Sequence, residues 1–296
     1  MKMCANKANL YWLLLSIFSL LGAGCEDVID LELDVRDPQF TVDAVLTNEA
    51  KPQVIKLSSS VLFFDNSGNY PPVTVDSVVV TDQDNRKFFF EPASNQPGSY
   101  VYTPSVTDTF AVGSVYKLHI YTPNTTYSAV SEMRRSTPID SISISESNAN
   151  PGNFFVFLNA IDQPGPGDRY WIRTFRNDTL LIEPSDINIA WDAATGPGGE
   201  SDGQAFIFPI AFLPLNNFQR PYKLGEQVRV EILGITPDFY QFLLDARTQT
   251  SNQGIFAAPP ANVRTNIHSS NPDAPKPVGF FNVCQQFELS VVIEDD

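Results

Sequence analysis

Short runs of alternating apolar and polar residues, stopped by prolines, glycines or Asn/Asp clusters, dominate the chain from residue 38 onward. In "VRVEILGI", Val228, Val230 and Ile232 alternate with Arg229 and Glu231, and in "FELSVVIEDD", Phe287, Leu289, Val291 and Ile293 alternate with their neighbours. A period of two sends successive side chains to opposite faces of an extended backbone, so such runs read as half-buried strands. The 23 prolines and 16 glycines punctuate them. Many short strands between turn clusters leave sandwiches and barrels as the architectures able to bury them. The chain is expected to be all-β.

Two antiparallel domains are expected. In the first, "QFTVDAVLT" is strand-like, and "DSVVVTDQDNRKFFFEP" reads as a hairpin of Ser77–Val80 against Lys87–Phe90. "GSYVYTP", "SVYKLHIYTP" and "TTYSAVSEM" add strands, with Pro104 and Pro123 at strand ends where a missing amide hydrogen does least harm. About seven short strands in roughly 100 residues suit an immunoglobulin-like or prealbumin-like sandwich, placed at residues 38–136. A boundary falls near "RRSTPIDSI". Beyond it "PIDSISIS", "NFFVFLNAI", "DRYWIRTFR" and "DTLLIEP" open a second set, a β-sandwich or barrel over residues 137–296. One short helix is expected near 237–248. Thr236 is its N-cap, Pro237 its first helical residue, and Asp238 sits at the positive end of the dipole. Phe239, Phe242, Leu243 and Ala246 share one face, expected to close the end of the second domain.

Residues 1–24 have another character. Lys2 and Lys7 precede an apolar run, Leu10 to Leu21, of the length found in secretory signals. A spanning helix needs roughly 20 apolar residues, so the run is too short to remain as one. Gly22, Ala23 and Gly24 lead into Cys25, which looks like a lipobox, the site where bacteria attach diacylglycerol to a cysteine thiol and cleave before it. Gly22 departs from the leucine commonest at its position. Stable anchoring takes two acyl chains, each buried CH₂ adding about 0.8 kcal/mol. A lipidated Cys25 would therefore tie the protein to a membrane. Residues 25–37 form an acidic tether, led by Glu26 and Asp27. Acid directly behind the cysteine resembles the surface-export signal of Bacteroidota lipoproteins; a solvated spacer is the alternative.

The net charge of −15 becomes more negative once Lys2 and Lys7 leave. Duplex binding needs Lys and Arg to displace counterions, so no nucleic-acid partner is expected. Of the three cysteines, Cys4 is expected to leave with the signal and Cys25 to be acylated, which would leave Cys284 with no disulfide partner. Its setting, "GFFNVCQQF", reads as core.

No set of residues forms a catalytic, cofactor or metal signature, and an enzyme is not expected. "GESDG" (Gly199–Gly203) matches G-x-S-x-G, with His268 as the base that Ser201 would need. A nucleophile elbow lies between a buried strand and a helix, whereas here "ATGPGG" precedes and "QAFIF" follows, so a mobile glycine loop is expected. His119 lies between Leu118 and Ile120 and points away from their face; zinc needs three or four converging ligands. "DQDN" (Asp82–Asn85) hints at calcium, but an EF-hand loop wants Gly sixth and Glu twelfth, where Lys87 and Ala93 stand. A polar hairpin turn is expected there. Asp76-Ser77-Val78, Asp140-Ser141-Ile142 and Asp178-Thr179-Leu180 resemble the O-glycosylation pattern of Bacteroidota surface proteins.

Several segments together resemble one family. "AVLTNEAKPQVIKLSSS", "DSVVVTD", "PGSYVY" and "YKLHIYTPNTTYSA" look like its amino-terminal half; "GDRYWIRTF", "SDGQAF", "VRVEILGITPDFYQFLLDA" and "GIFAAPPANVRTNI…VGFFNV" look like its carboxyl-terminal half. This is the Bacteroidota lipoprotein family catalogued as domain of unknown function 4249. The most specific part is Pro260, Asn262, Asn266 and Ile267 before Gly279-Phe280-Phe281. The resemblance implies an outer-membrane lipoprotein, often encoded beside TonB-dependent transporters, and carries over no reaction and no catalytic residues.

The expected function is thus an outer-membrane, lipid-anchored, outward-facing accessory or ligand-binding partner of a TonB-dependent transporter in nutrient uptake. A structural or adhesive surface protein binding glycan or matrix is the alternative. The proline-rich segment Ala257–Pro277 either makes contacts or packs across the sandwich mouth.

Overall fold

The structure, a computed structural model, describes residues 37–61, 68–105, 109–196, 201–213, 220–251 and 263–294. Residues 37–296 form one compact unit. Seven strands come first: β1 (Phe40–Thr47), β2 (Gln53–Ser59), β3 (Ser77–Asp82), β4 (Lys87–Pro92), β5 (Ser99–Tyr102), β6 (Val115–Tyr121) and β7 (Thr126–Glu132). Then follow β8 (Ser141–Glu146), β9 (Phe154–Asn159), β10 (Arg169–Arg176), β11 (Thr179–Leu180), β12 (Asn188–Trp191), β13 (Phe212–Leu213) and β14 (Gln227–Gly234). The helix α1 (Pro237–Ser251) precedes β15 (His268–Ser269), β16 (Pro277–Cys284) and β17 (Gln286–Val292). The protein is all-β with one helix among the described residues.

β1 to β7 form the first body with two late strands, in the order β15-β7-β6-β3-β4-β5-β2-β1-β16. This single sheet curls almost into a barrel: its two halves, joined through β4, face each other across one core. Phe40, Val42, Ala44 and Leu46 of β1 meet Leu118 and Ile120 of β6 and Phe281 and Val283 of β16 there. Six of the seven early strands fall where the sequence placed them; β2 was not singled out there. The sandwich expected at residues 38–136 is not self-contained, because β15 and β16 complete it from the other end of the chain. β16 runs parallel to β1, Phe40 opposite Pro277 through Thr47 opposite Cys284.

The second body is a sandwich. A five-stranded sheet, β11-β10-β14-β17 with β12 also on β10, packs on a three-stranded sheet, β13-β9-β8. Val156 and Leu158, Tyr170 and Ile172, and Val228, Val230 and Ile232 fill the space between them. In β14 the three apolar residues face this core as the alternation requires. Glu231, on the other face, does not meet water: it is 3% exposed and its Oε2 lies 2.5 Å from Arg173 Nη2. Arg229 also pairs with Glu231 and lays its guanidinium 3.6 Å from the centre of the Phe175 ring.

A third core joins the two bodies. Phe280 and Cys284 of β16, Leu233 of β14, Ile189 of β12 and Phe239, Tyr240 and Leu243 of α1 pack together. The cap of α1 is as the sequence predicts: Thr236 Oγ1 accepts the Phe239 N–H at 3.2 Å, and Pro237 opens the helix. The helix does not close the end of the second sandwich; it fills the space between the β16 wall and the outer face of β10 and β12. Its apolar face also takes in Tyr240 and Leu244, and the Tyr240 hydroxyl donates to the Thr195 carbonyl at 3.1 Å. β16 is therefore buried on both faces, which its near-continuous apolar run allows.

Cys284 lies wholly inside the third core, and burial pushes its thiol up to about 12. The neutral thiol is thus favoured in the fold, and stability falls as pH rises from the ordinary thiol range toward 12. Native protein is expected to resist iodoacetamide at about pH 8 and to be alkylated once unfolded, since the thiolate is the nucleophile. Mass spectrometry reads this directly; rapid labelling of the native chain would contradict the burial.

Candidate functional site

The starts of β1, β3, β7 and β16 and the ends of β2 and β6 meet at one end of the barrel. A cleft of about 580 Å³ opens there. Phe40 and Tyr127, stacked at 4.4 Å, form its base. One wall is the β6–β7 turn, Thr122–Thr125, and the opposite wall is Asn271–Pro275. The two walls are sewn together. Thr125 Oγ1 bonds Ser269 Oγ (2.9 Å) and Ser270 Oγ (3.1 Å) and accepts the Asn271 N–H (3.2 Å), while Tyr127 donates its hydroxyl to Pro275 O (2.9 Å). Burial raises the Tyr127 pKa, so this hydroxyl stays a donor.

The segment Ala257–Pro277 thus packs across the mouth and also lines the cleft, as far as its described part, 263–277, shows. Among the described lining residues Asp273 is the one formal charge. The side chains of Gln39, Asn124 and Asp273 hold no hydrogen bond among the described residues, leaving two amides and a carboxylate for a visitor. Neutral amides and hydroxyls over an aromatic base suit a hydroxyl- or amide-rich ligand. The local signals were the turn clusters "TPNTT" and "SSNPD"; the second lies in the segment expected to make contacts or pack across the mouth, and the first was not singled out in the sequence.

Cys25, Glu26 and Asp27 lie outside the described residues. Ser201 and His268 are not brought together as a pair by any contact. His268 is exposed in β15 opposite Ser128. Ser201 accepts the Ala193 and Gln204 N–H groups through its carbonyl. Of the glycine loop expected there, residues 197–200 lie outside the described residues; at its described end Asp162 accepts the Gly203 N–H at 2.9 Å and Asp202 the Gly165 N–H at 2.8 Å. Asp162 is itself buried, which raises its pKa despite the Tyr170 hydroxyl donated at 2.5 Å. Beside it Arg135 Nε spans both Asp168 oxygens at 3.1 and 2.9 Å, and Asp192 accepts the Gly167 and Asp168 N–H groups. These aspartates spend their acceptors on loops, joining "RRST", "GPGDRYW", "WDA" and "SDG" into one brace.

Asp82 works in the same way. Its Oδ1 accepts the Asp84 and Arg86 N–H groups at 3.0 and 2.8 Å, its Oδ2 pairs with Arg86 Nε at 3.0 Å, and Asn85 takes a φ of 61°. The geometry is that of the polar hairpin turn expected. His119 points away from Leu118 and Ile120, as alternation requires, and burial and Lys117 lower its pKa. Of the three hydroxyls in the O-glycosylation-like pattern, Ser141 and Thr179 are exposed and Ser77 is half-buried.

The fold and its filled cores define an all-β protein of two fused bodies. The family described as "Domain of unknown function (DUF4249)" matches residues 26–290, and the chain belongs to it. No curated protein matches the chain.

The family-like residues acquire physical roles here. Between β7 and β16 the backbone ladder stops, and Asn266 fills the seam. Its Oδ1 accepts the Phe281 N–H at 3.0 Å, and its Nδ2 donates to Phe281 O at 2.8 Å and Val130 O at 3.2 Å. The side-chain amide thus reproduces the paired bonds of a missing strand residue. Further along, Ser131 Oγ accepts the Val283 N–H at 3.0 Å and Arg134 O the Gln285 N–H at 3.1 Å. Thr265 Oγ1 donates to Gly279 O at 2.7 Å. Pro260 and Asn262 lie outside the described residues.

Proposed function

We propose that this protein is an outer-membrane lipoprotein, anchored through Cys25, facing outward, and acting as the accessory or ligand-binding partner of a TonB-dependent transporter in nutrient uptake. The observation that carries this reading is the ordered series of positive n-region, short apolar run, small residues, Cys25 and the acids Glu26 and Asp27. The family match supports it, beginning at Glu26 directly behind the cysteine. The filled cores support a role played at the surface, and the mouth cleft offers one place for a ligand. No catalysis is assigned to the chain. A structural or adhesive surface protein binding glycan or matrix is the second reading, favoured by the amide- and hydroxyl-rich lining of that cleft.

The test is recovery of the tagged full chain from detergent-solubilised outer membranes. A diacyl modification on Cys25 by mass spectrometry, together with a co-purifying transporter, is the expected result. An unmodified thiol in protein released to the medium would reject the anchor. Acylated protein recovered alone would reject the transporter partnership and leave the adhesive reading.

A further inference from the structure

The outer face of β4, β3, β6 and β7 has a chemistry unlike that of a surface whose chain carries a net −15. Residues opposite one another on neighbouring strands project to the same side. The register therefore sets Phe89, Val79, His119, Ser128 and His268 in one row across five strands, bringing the chain's two histidines onto one face. Tyr121 follows His119 by two residues on β6 and stacks on it, with centroids 6.1 Å apart and planes at 20°. Phe89 is 56% exposed and Tyr121 42%. In the next row Lys87 and Lys117 are exposed, and neither makes an ion pair among the described residues.

We infer that this face is a binding platform for an acidic polysaccharide. Neighbouring strands lie about 4.8 Å apart, so Phe89 and His119 stand roughly 10 Å apart, with Val79, 7% exposed, packed down between them as a shallow trough. Such a surface accepts a flat chain better than the knobs of a folded partner. Pyranose rings offer apolar C–H faces to aromatic rings, and the hydroxyls of Ser77 on β3, opposite Tyr121, and Ser128 on β7, opposite His119, flank the β6 rings to meet sugar hydroxyls. The lysines sit about 7 Å along the strands from the rings, within reach of carboxylates on the sugar. His119 is held toward its neutral form by burial and by Lys117, so it serves as a ring and not a charge. The inference goes beyond the transporter reading and needs neither the anchor nor a protein partner.

The full chain in mild detergent, run in native gels containing polygalacturonate, dextran or poly-L-glutamate, tests it. A chain this acidic is repelled by polyanions unless a local site overrides the repulsion. Retardation by polygalacturonate alone is expected. The Phe89→Ala/Tyr121→Ala variant is expected to weaken binding by about tenfold or more, and Lys87→Ala/Lys117→Ala by about tenfold with loss of salt sensitivity. Glu91→Lys, at the edge of the same face, is expected to tighten it, which separates a lost site from a lost fold. No retardation by polygalacturonate, equal retardation by poly-L-glutamate, or wild-type binding by both double variants would overturn the inference.

Discussion

Replacing Gly279 with alanine is expected to destabilise the protein by roughly 3–5 kcal/mol, a large share of the 5–15 kcal/mol that holds a typical native domain. Gly279 has a φ of 92°, and a Cβ built on it overlaps the backbone carbonyl of Val42 in β1. Two costs therefore add. An L side chain is strained at that φ by about 1–3 kcal/mol, and the parallel β1–β16 pairing must open to admit the methyl group. That pairing cannot yield cheaply, because Phe281 and Val283 are locked into the barrel core on one face and Phe280 and Cys284 into the helix core on the other. Gly113→Ala separates the two costs: its φ is 81°, but nothing lies within 4 Å of the added Cβ. That variant is expected to lose only about 1 kcal/mol. Urea unfolding followed by the fluorescence of Trp171 and Trp191 reads both. Equal losses at the two positions would show that the close approach to Val42 costs nothing.

Asn266→Leu is expected to cost about 2–4 kcal/mol and to loosen the barrel seam before the rest of the fold. The substitution strips partners from the Phe281 N–H, the Phe281 carbonyl and the Val130 carbonyl together. Each polar group left inside without a partner costs about 1–3 kcal/mol, less where water can reach it, and Val130 is exposed enough for water to do so. Hydrogen exchange at the Phe281 amide should rise well beyond the change at buried amides of β14, such as Val230. Asn266→Asp adds a sign. Its carboxylate would keep the bond from the Phe281 N–H but turn an acceptor toward two carbonyls, so the protonated form is preferred in the fold. The folded pKa is then raised, and the variant should gain stability as pH falls from 7 toward 4 and lose it as pH rises. A pH-independent deficit would mean that the seam opens to water around residue 266.

Both predictions concern the stretch that most resembles its family, and in neither case is the role legible in the letters. An asparagine in a polar run reads as a turn, and a glycine inside an apolar run reads as a bulge or a close approach without naming what approaches. Elsewhere local reading reached further. Thr236 and Pro237 specify a helix start because the cap meets the Phe239 amide only three residues on and does so whatever surrounds it. Asp82 likewise builds its hairpin turn from atoms within four residues. The mouth cleft was half legible. The segment up to Pro277 stood out as a return loop, but its opposite wall, Thr122–Thr125, is brought there only by the β7–β15 pairing.

What the sequence by itself determined is the face of each alternating strand. Alternation at Val228, Val230 and Ile232, or at Leu118 and Ile120 around His119, decides which side chains enter a core, because the pleat has a period of two wherever the strand lies. Only the tertiary structure decided which strands are neighbours. The parallel union of β1 with β16, the burial of Glu231 between two arginines, the third core around α1 and the single row holding both histidines join residues far apart along the chain. Alternation carries no address for a partner; that choice falls to whichever arrangement lets all three cores fill at once.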